Sequence, residues 1–173
     1  MEIKTERLLL RRVAAEDWRD IRDIWADFSA SPYARYDKPH ALEDEAVEAR
    51  IARWASFAGS MEHFFFGACL NGRVIGYIAL HERDGGAFEC GYCFHSAFHG
   101  QGYAGESFRA IIALFREMGA KKLTAGTALK NAPSVRLLKS LGFELVDTEQ
   151  VSFYRDEMGN DIFFEGGLFE LPL

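Results

Sequence analysis

The sequence is short of several things, and each shortage removes a class of function. It has no basic excess: 20 Lys and Arg stand against 26 Asp and Glu, for a formal charge of −6. A general nucleic-acid binder needs a basic footprint, so no nucleic acid is expected as a partner. A mildly acidic surface leans instead toward a cationic substrate. No apolar run approaches the length of a bilayer span, so no membrane partner is expected either. The opening Met1-Glu2-Ile3-Lys4-Thr5-Glu6-Arg7 has none of the marks of a signal peptide, and a cytoplasmic protein is expected. There is no internal repeat, linker or low-complexity tract. A chain of 173 residues, 49% hydrophobic and 27% charged, is expected to form one domain over residues 1–173 with a substantial core.

Cysteine is scarce, with three in the chain. Two of them make Cys90-Gly91-Tyr92-Cys93, and His95 and His99 follow, which invites a redox or a zinc reading. A redox dithiol wants its first thiolate at a helix N-terminus. Here both thiols lie in a run that reads as a strand, where positions three apart point to opposite faces. The same geometry splits a zinc set of Cys90, Cys93, His95 and His99. Buried structural thiols and no metal are expected. Cys69 stands alone on another strand, and His40, His63 and His81 read as surface or satisfied core residues.

Glycine, by contrast, falls where it matters. The stretch Phe98-His99-Gly100-Gln101-Gly102-Tyr103-Ala104-Gly105-Glu106 follows a strand-like run, Ala87 to Phe94. It precedes Phe108, Ile111, Ile112, Leu114, Phe115 and Met118 at helical spacing. Gly100 and Gly102 permit a tight turn and close approach of a ligand. The first amides of the next helix have no intrahelical partner and can seat an anion, most often a phosphate. The stretch lacks the three-glycine dinucleotide pattern, and no Gly-Lys-Ser/Thr makes it a P-loop. An ordinary loop is the competing reading.

The rest of the chain alternates strands and helices. Ile3 to Val13 reads as a strand. Ala14-Ala15-Glu16-Asp17 starts a helix that carries Trp18, Ile21, Ile24, Trp25 and Phe28. A loop from Ser29 to Pro39 leads to a second helix, Leu42 to Phe57. His63 to Leu70 and Arg73 to Glu82 form a hairpin about Asn71-Gly72. Asp84-Gly85-Gly86 turns into the strand Ala87 to Phe94. After the glycine turn and its helix, Lys121 to Thr127 is a strand and Pro133 to Ser140 a helix. Phe143 to Ser152 and Ile162 to Leu171 close the chain as strands. This order predicts an α/β (α+β) fold, a mixed and mostly antiparallel sheet of six to seven strands flanked by helices.

Two stretches carry a family resemblance. With Asn131-Ala132-Pro133-Ser134-Val135-Arg136-Leu137-Leu138-Lys139-Ser140-Leu141-Gly142-Phe143, the glycine turn resembles the GNAT N-acetyltransferase superfamily, and within it the RimJ/RimL-like branch. The family's Arg/Gln-x-x-Gly-x-Gly/Ala turn is matched by His99-Gly100-Gln101-Gly102-Tyr103-Ala104. The later stretch matches Asn-x-x-Ser-x-Arg-x-Leu-x-x-x-Gly-Phe. Thr5-Glu6-Arg7-Leu8-Leu9-Leu10-Arg11 is similar to the branch's first strand. His99 is a departure, since Arg or Gln is usual there.

The resemblance implies a GNAT fold splayed at the fourth strand, acetyl-CoA as co-substrate, and an amine acceptor, either a small molecule or a protein N-terminus. It assigns the acetyl-CoA diphosphate to His99, Gly100, Gln101, Gly102, Tyr103 and Ala104, and the pantetheine arm to the backbone of Tyr92, Cys93 and Phe94. Glu89 shares a strand face with Gly91 and Cys93 and is the expected base. Asn131 would contact the pantetheine or an active-site water. Ser134 would protonate the departing thiolate, although Asn and Ser at this spacing are also plain capping chemistry. Arg136 reads as a contact to a cofactor phosphate or, in preference, as a helix surface charge, and Tyr154 is a second candidate acid. Tyr33, Tyr36 and Asp37 are expected to line the acceptor site, with Trp25 and Phe28 as packing. A non-enzymatic acyl-CoA sensor of the same fold is the alternative, and the resemblance also admits a homodimer.

Overall fold

The computed structural model describes all 173 residues. Eight strands form one sheet: β1 (Glu2–Lys4), β2 (Leu9–Arg12), β3 (His63–Leu70), β4 (Arg73–Arg83), β5 (Ala87–Phe94), β6 (Lys122–Ala128), β7 (Glu144–Arg155) and β8 (Asp161–Pro172). Their spatial order is β1-β2-β3-β4-β5-β6-β8-β7. Only the β5–β6 pair is parallel. Four helices flank the sheet: α1 (Trp18–Ser29), α2 (Asp44–Ser56), α3 (Tyr103–Glu117) and α4 (Ala132–Ser140). No helix is long and apolar enough to cross a membrane.

The mixed, mostly antiparallel sheet is the one expected, with a correction to the strand count. The segment read as one strand from Ile3 is a hairpin, with Ile3 opposite Leu10. The turn uses none of the usual turn residues. Thr5 Oγ1 accepts from the Leu8 amide at 3.0 Å, and the Thr5 amide bonds the Leu8 carbonyl at 2.9 Å. The strand counted fourth in the sequence is therefore β5.

Strand alternation divides the core in two. Phe64, Phe66 and Ala68 of β3 face α3 and α4, where they pack with Phe108, Ile111 and Phe115. Phe65 and Cys69 face α1 and α2, with Ile21, Ile24, Trp25, Val47 and Ile51. In β4 the register against β3 slips by one residue between Val74 and Gly76. This bulge lets Tyr77 share a face with Val74. Gly76 lies under the Phe94 ring; a Cβ there would sit 2.1 Å from Phe94 Cδ1. At the far edge, β7 and β8 leave Val146 and Phe163 more than half exposed.

Candidate active site

The β5–β6 ladder runs from Ala87 opposite Lys122 to Cys90 opposite Ala125, and stops there. Beyond it Gly91 to Phe94 and Gly126 to Ala128 diverge, and both line a cleft of about 820 Å³. The cleft passes through the sheet. One end reaches the glycine turn before α3, and the other reaches the loop after α1.

At the glycine turn, Gly100 and Gly102 take φ of 72° and 83°, in the left-handed region that glycine favours. The first helical bond of α3 runs from the Glu106 amide to the Gly102 carbonyl. The amides from Gly100 to Gly105 have no acceptor within the chain. The β1–β2 turn holds this turn in shape. Arg7 donates from Nε to Glu106 Oε2 at 2.7 Å and from Nη1 to the Gln101 carbonyl at 2.8 Å. Its guanidinium lies 4.4 Å from the centre of the Tyr103 ring. The Thr5 hydroxyl donates to Glu106 Oε1 at 2.6 Å. Burial works against the charge of Glu106, but the bonds from Thr5 and Arg7 outweigh it and hold the carboxyl below the usual glutamate range.

His99 lies against the strand end. Its Nε2 is 2.7 Å from the Phe94 carbonyl. A carbonyl only accepts, so Nε2 carries the proton. The ring thus ties the turn to β5, and that carbonyl is engaged within the chain.

At the split, the Tyr92 hydroxyl and Ser134 Oγ are 2.6 Å apart. Burial pushes the Tyr92 phenol up to about 12, against the bond from Ser134, which lowers it. Asn131 is the N-cap of α4, with its side-chain oxygen accepting the Ser134 amide at 3.3 Å. Capping is therefore done by Asn131, and the Ser134 hydroxyl is turned into the cleft. Burial also pushes the thiols of Cys90 and Cys93 up to about 12.

On the α1–α2 side, Glu89 is about half exposed and paired with Arg83, whose Nε lies 2.8 Å from Oε2. Glu89 Oε1 has no partner within the chain. Across the ladder from Glu89 stands His81, whose Nδ1 is 3.1 Å from Nδ1 of His63. One of those nitrogens must donate and the other accept, so the two rings share a single proton there. Burial, then the neighbouring His63 and Arg83, lower the His81 pKa and keep the ring neutral. Tyr33, Tyr36, Asp37 and Phe28 line the cleft on this side.

A family model described as the acetyltransferase (GNAT) domain matches residues 7–144. The chain belongs to the GNAT acetyltransferases. Membership makes it an N-acetyltransferase, the enzyme class the motifs imply. It is 25% identical to the uncharacterized N-acetyltransferase p20 of Bacillus licheniformis over 143 residues, 81% of this chain and 80% of that protein. Solved structures share the GNAT fold end to end. The Salmonella typhimurium acetyltransferase that modifies the N-terminal serine of ribosomal protein L7/L12 superposes with a TM-score of 0.84 at 14% identity, covering 100% and 99% of the two chains. A Bacillus anthracis GNAT acetyltransferase gives 0.79 at 22% identity over 99% and 98%. The microcin C7 self-immunity acetyltransferase MccE, solved with acetyl-CoA and AMP, gives 0.81 at 12% identity over 97% and 93%.

The GNAT cleft gathers almost all the residues expected from sequence. Glu89, Tyr92, Cys93, Phe94, His99, Gly100, Gly102, Tyr103, Ala104, Asn131, Ser134, Tyr33, Tyr36 and Asp37 all line it. Gln101 does not: its side chain bonds the Ala97 carbonyl and its own carbonyl takes Arg7. Tyr154 lies elsewhere, with its hydroxyl on the Ala34 carbonyl at 3.3 Å. Phe28, expected as packing, is a cleft wall, whereas Trp25 is fully buried with its Nε1 donating to the Tyr77 hydroxyl. Cys90 packs on the α3 side and Cys93 on the other, so the dithiol and zinc sets are not assembled. Three features carry no signal of their own in the sequence: the Arg7–Glu106 clamp, the His63–His81 pair and the bond from Tyr92 to Ser134. The Thr5-Glu6-Arg7 motif signals the clamp only once Glu106 is seen to be its partner.

Proposed function

We propose that this enzyme transfers an acetyl group from acetyl-CoA to a primary amine by direct attack of the amine. One coincidence carries the reading: unpartnered amides from Gly100 to Gly105 and the unpaired strand end from Gly91 open into the same cleft. The amides suit a diphosphate. The Tyr92 amide and carbonyl point away from β4 and have no β6 partner beyond Cys90. They suit the amide-bearing pantetheine arm, as an added strand suits a sheet edge. Cys93 pairs with Tyr77 and lines the cleft with its side chain. The Phe94 carbonyl is occupied by His99, which leaves its amide on the split side of the strand. Acetyl-CoA supplies the activated thioester.

The chain's own groups handle the protons. Glu89, through its free Oε1, takes the ammonium proton directly or through water. Ser134, backed by the Tyr92 hydroxyl, gives a proton to the sulfur as the C–S bond breaks and is reprotonated, through water, by the second proton that the acylated nitrogen sheds. Asn131 fixes the start of α4 and so the position of Ser134. A covalent acyl-enzyme is not invoked, because a thiol pushed up to about 12 is a poor nucleophile at neutral pH. Tyr33, Tyr36 and Asp37 form the acceptor wall. A protein N-terminus or a small amine is the acceptor class. The three free thiols suit a reducing compartment, and we place the protein in the cytoplasm.

Calorimetric titration with acetyl-CoA tests this reading, with desulfo-CoA and adenosine as controls. Binding that requires the diphosphate, followed by acetyl transfer to an amine panel, is expected. Binding with no turnover on any amine would make the protein an acyl-CoA sensor. No binding by folded protein would overturn the assignment of the turn.

A further inference from the structure

The acceptor side of the cleft has a branch that runs under α2. It encloses about 480 Å³, the scale of a small-molecule site. Branch and main cleft share Phe28, Asp37, His81, Gly91, Tyr92 and Cys93. An acceptor lying in the branch therefore presents one end to the strand split where transfer takes place. Its other end meets residues that only the branch contains.

Those residues are aromatic and basic. Trp54 stacks on Phe65 at 4.5 Å and stands edge-on to Tyr77 at 5.1 Å, with Phe57 beside Phe65 at 6.0 Å. Arg50 and Arg53 reach into the branch from α2. Neither has a carboxylate within 4 Å, whereas Arg83, which lines the main cleft, is paired with Glu89. The Arg50 guanidinium lies 4.8 Å from the centre of the Trp25 ring and 5.8 Å from that of Trp54. Stacking uses the face of the guanidinium; of its in-plane donors Nη1 lies 3.4 Å from His40 Nδ1, and the others have no partner within the chain. Beside it, His40 stacks on Trp25 at 4.5 Å. Burial, then the charge of Arg50, lowers the His40 pKa and leaves that ring neutral. Arg53 lies in the last turn of α2, where its charge also complements the helix dipole; Arg50, a turn earlier, has no such role. The one carboxylate of the branch, Asp37, sits at the shared rim, where an ammonium would arrive.

We infer that the acceptor is a small aromatic amine with an anionic group at the end remote from its nitrogen. The ring lies among Trp54, Phe57 and Phe65, the anion meets Arg50 and Arg53, and the ammonium faces Asp37 and Glu89. The formal charge of −6 leans the other way, toward a purely cationic substrate. The local charge of the branch outweighs it, because screening confines such effects to roughly 8–10 Å. The inference rests on the acetyltransferase reading for the end that reacts, and on the branch alone for the end that binds. A carboxylate and a phosphate satisfy the two arginines by the same bidentate chemistry.

The test compares acetyl transfer to 4-(2-aminoethyl)benzoate, tyramine O-phosphate and phenethylamine. The two anionic amines should exceed phenethylamine in kcat/KM by about tenfold or more, the scale of a hydrogen-bonded charge. Whichever of the two is faster identifies the anion. In R50Q and R53Q the three amines should converge. Equal rates in the wild type, or a preference untouched in both variants, would overturn the inference. Calorimetry with 4-ethylbenzoate, which has no amine to acetylate, keeps the two readings apart. Binding to the wild type that weakens in R50Q, with no amine acetylated, would uphold the branch as an anion site and sink the transferase reading. Transfer to phenethylamine with no binding of 4-ethylbenzoate would do the reverse.

Discussion

The Tyr92 hydroxyl lies 2.6 Å from Ser134 Oγ, joining β5 to the first turn of α4 across the split in the sheet. The phenol, pushed up to about 12, keeps its proton at any pH the enzyme would meet. Ser134→Ala should lower kcat by about 10²-fold or more, the usual worth of a proton donor, and leave the affinity for acetyl-CoA little changed. Tyr92→Phe should cost less, because the serine hydroxyl remains. Neither tyrosine nor serine should produce an alkaline fall in rate before the fold itself fails. Steady-state rates against pH for both variants check this; a fully active S134A would remove Ser134 as the acid.

Glu89 presents one oxygen to Arg83 and leaves the other free. Glu89→Gln should lower kcat by about 10²-fold and change its pH dependence. Stability should hardly move, since an exposed ion pair is worth about 0–1 kcal/mol. Rate profiles beside thermal melts separate the two effects. Full activity in the Gln variant would transfer the role of base to another group.

The turn before α3 depends on Gly102 and on the clamp beside it. A Cβ at Gly102 would stand 3.3 Å from Arg7 Nη2, at a φ of 83° that costs a side chain about 1–3 kcal/mol. Gly102→Val should abolish acetyl-CoA binding in a protein that still folds. Calorimetry would detect it, and binding at wild-type strength would count against this turn as the diphosphate seat.

Glu106 gives the clamp a pH dependence of known sign. Its folded carboxyl titrates below the usual range, so its contribution is present above the ordinary glutamate value of about 4.3 and lost as pH falls through the lower, folded value. Wild-type protein should be more stable than E106Q at neutral pH, and the gap in Tm should close only on acidification below that range. Paired melts from pH 3 to pH 7 (roughly the window set by carboxylate titration) measure it. A gap independent of pH would show that the charge of Glu106 contributes nothing.

Gly76→Ala places a methyl group where the Phe94 ring lies, 2.1 Å from Cδ1. Overpacking of this kind costs about 1–3 kcal/mol, or a fall in Tm of about 3–10 °C for a domain this size. Because Phe94 also carries the carbonyl held by His99, cofactor affinity should fall with stability. An unchanged melt would mean that the bulge in β4 relaxes freely.

Elements with a strong period were legible from sequence, and those that depend on distant partners were not. The helical spacing of Phe108, Ile111, Ile112 and Phe115 marks α3, and Asn71-Gly72 marks the β3–β4 turn. The β1–β2 turn was hidden because Thr5-Glu6-Arg7 contains no Gly, Pro, Asn or Asp, and is held by Glu106 from far along the chain. His63 and His81 read singly as unremarkable because only strand register makes them neighbours. Spacing alone places Phe28 in the core, because periodicity cannot tell a core face from a cleft wall at the end of a helix. The glycine turn and the Asn131 to Phe143 stretch were legible because local backbone geometry and capping depend on adjacent residues.

The Arg7–Glu106 clamp spans 99 residues of sequence. On a chain synthesised from its N-terminus, Arg7 therefore emerges long before its partner exists, and the loop that must close is more than half the length of the protein. Such a long-range contact forms late in folding, because its entropy cost must be met by structure already in place. The hydrophobic halves of the sheet can assemble around β3 and β4 without it. The turn before α3 is then the last part of the chain to take its shape, so a chain caught part-way through folding, or clipped just after Arg7, would be compact yet lack the contacts that hold that turn.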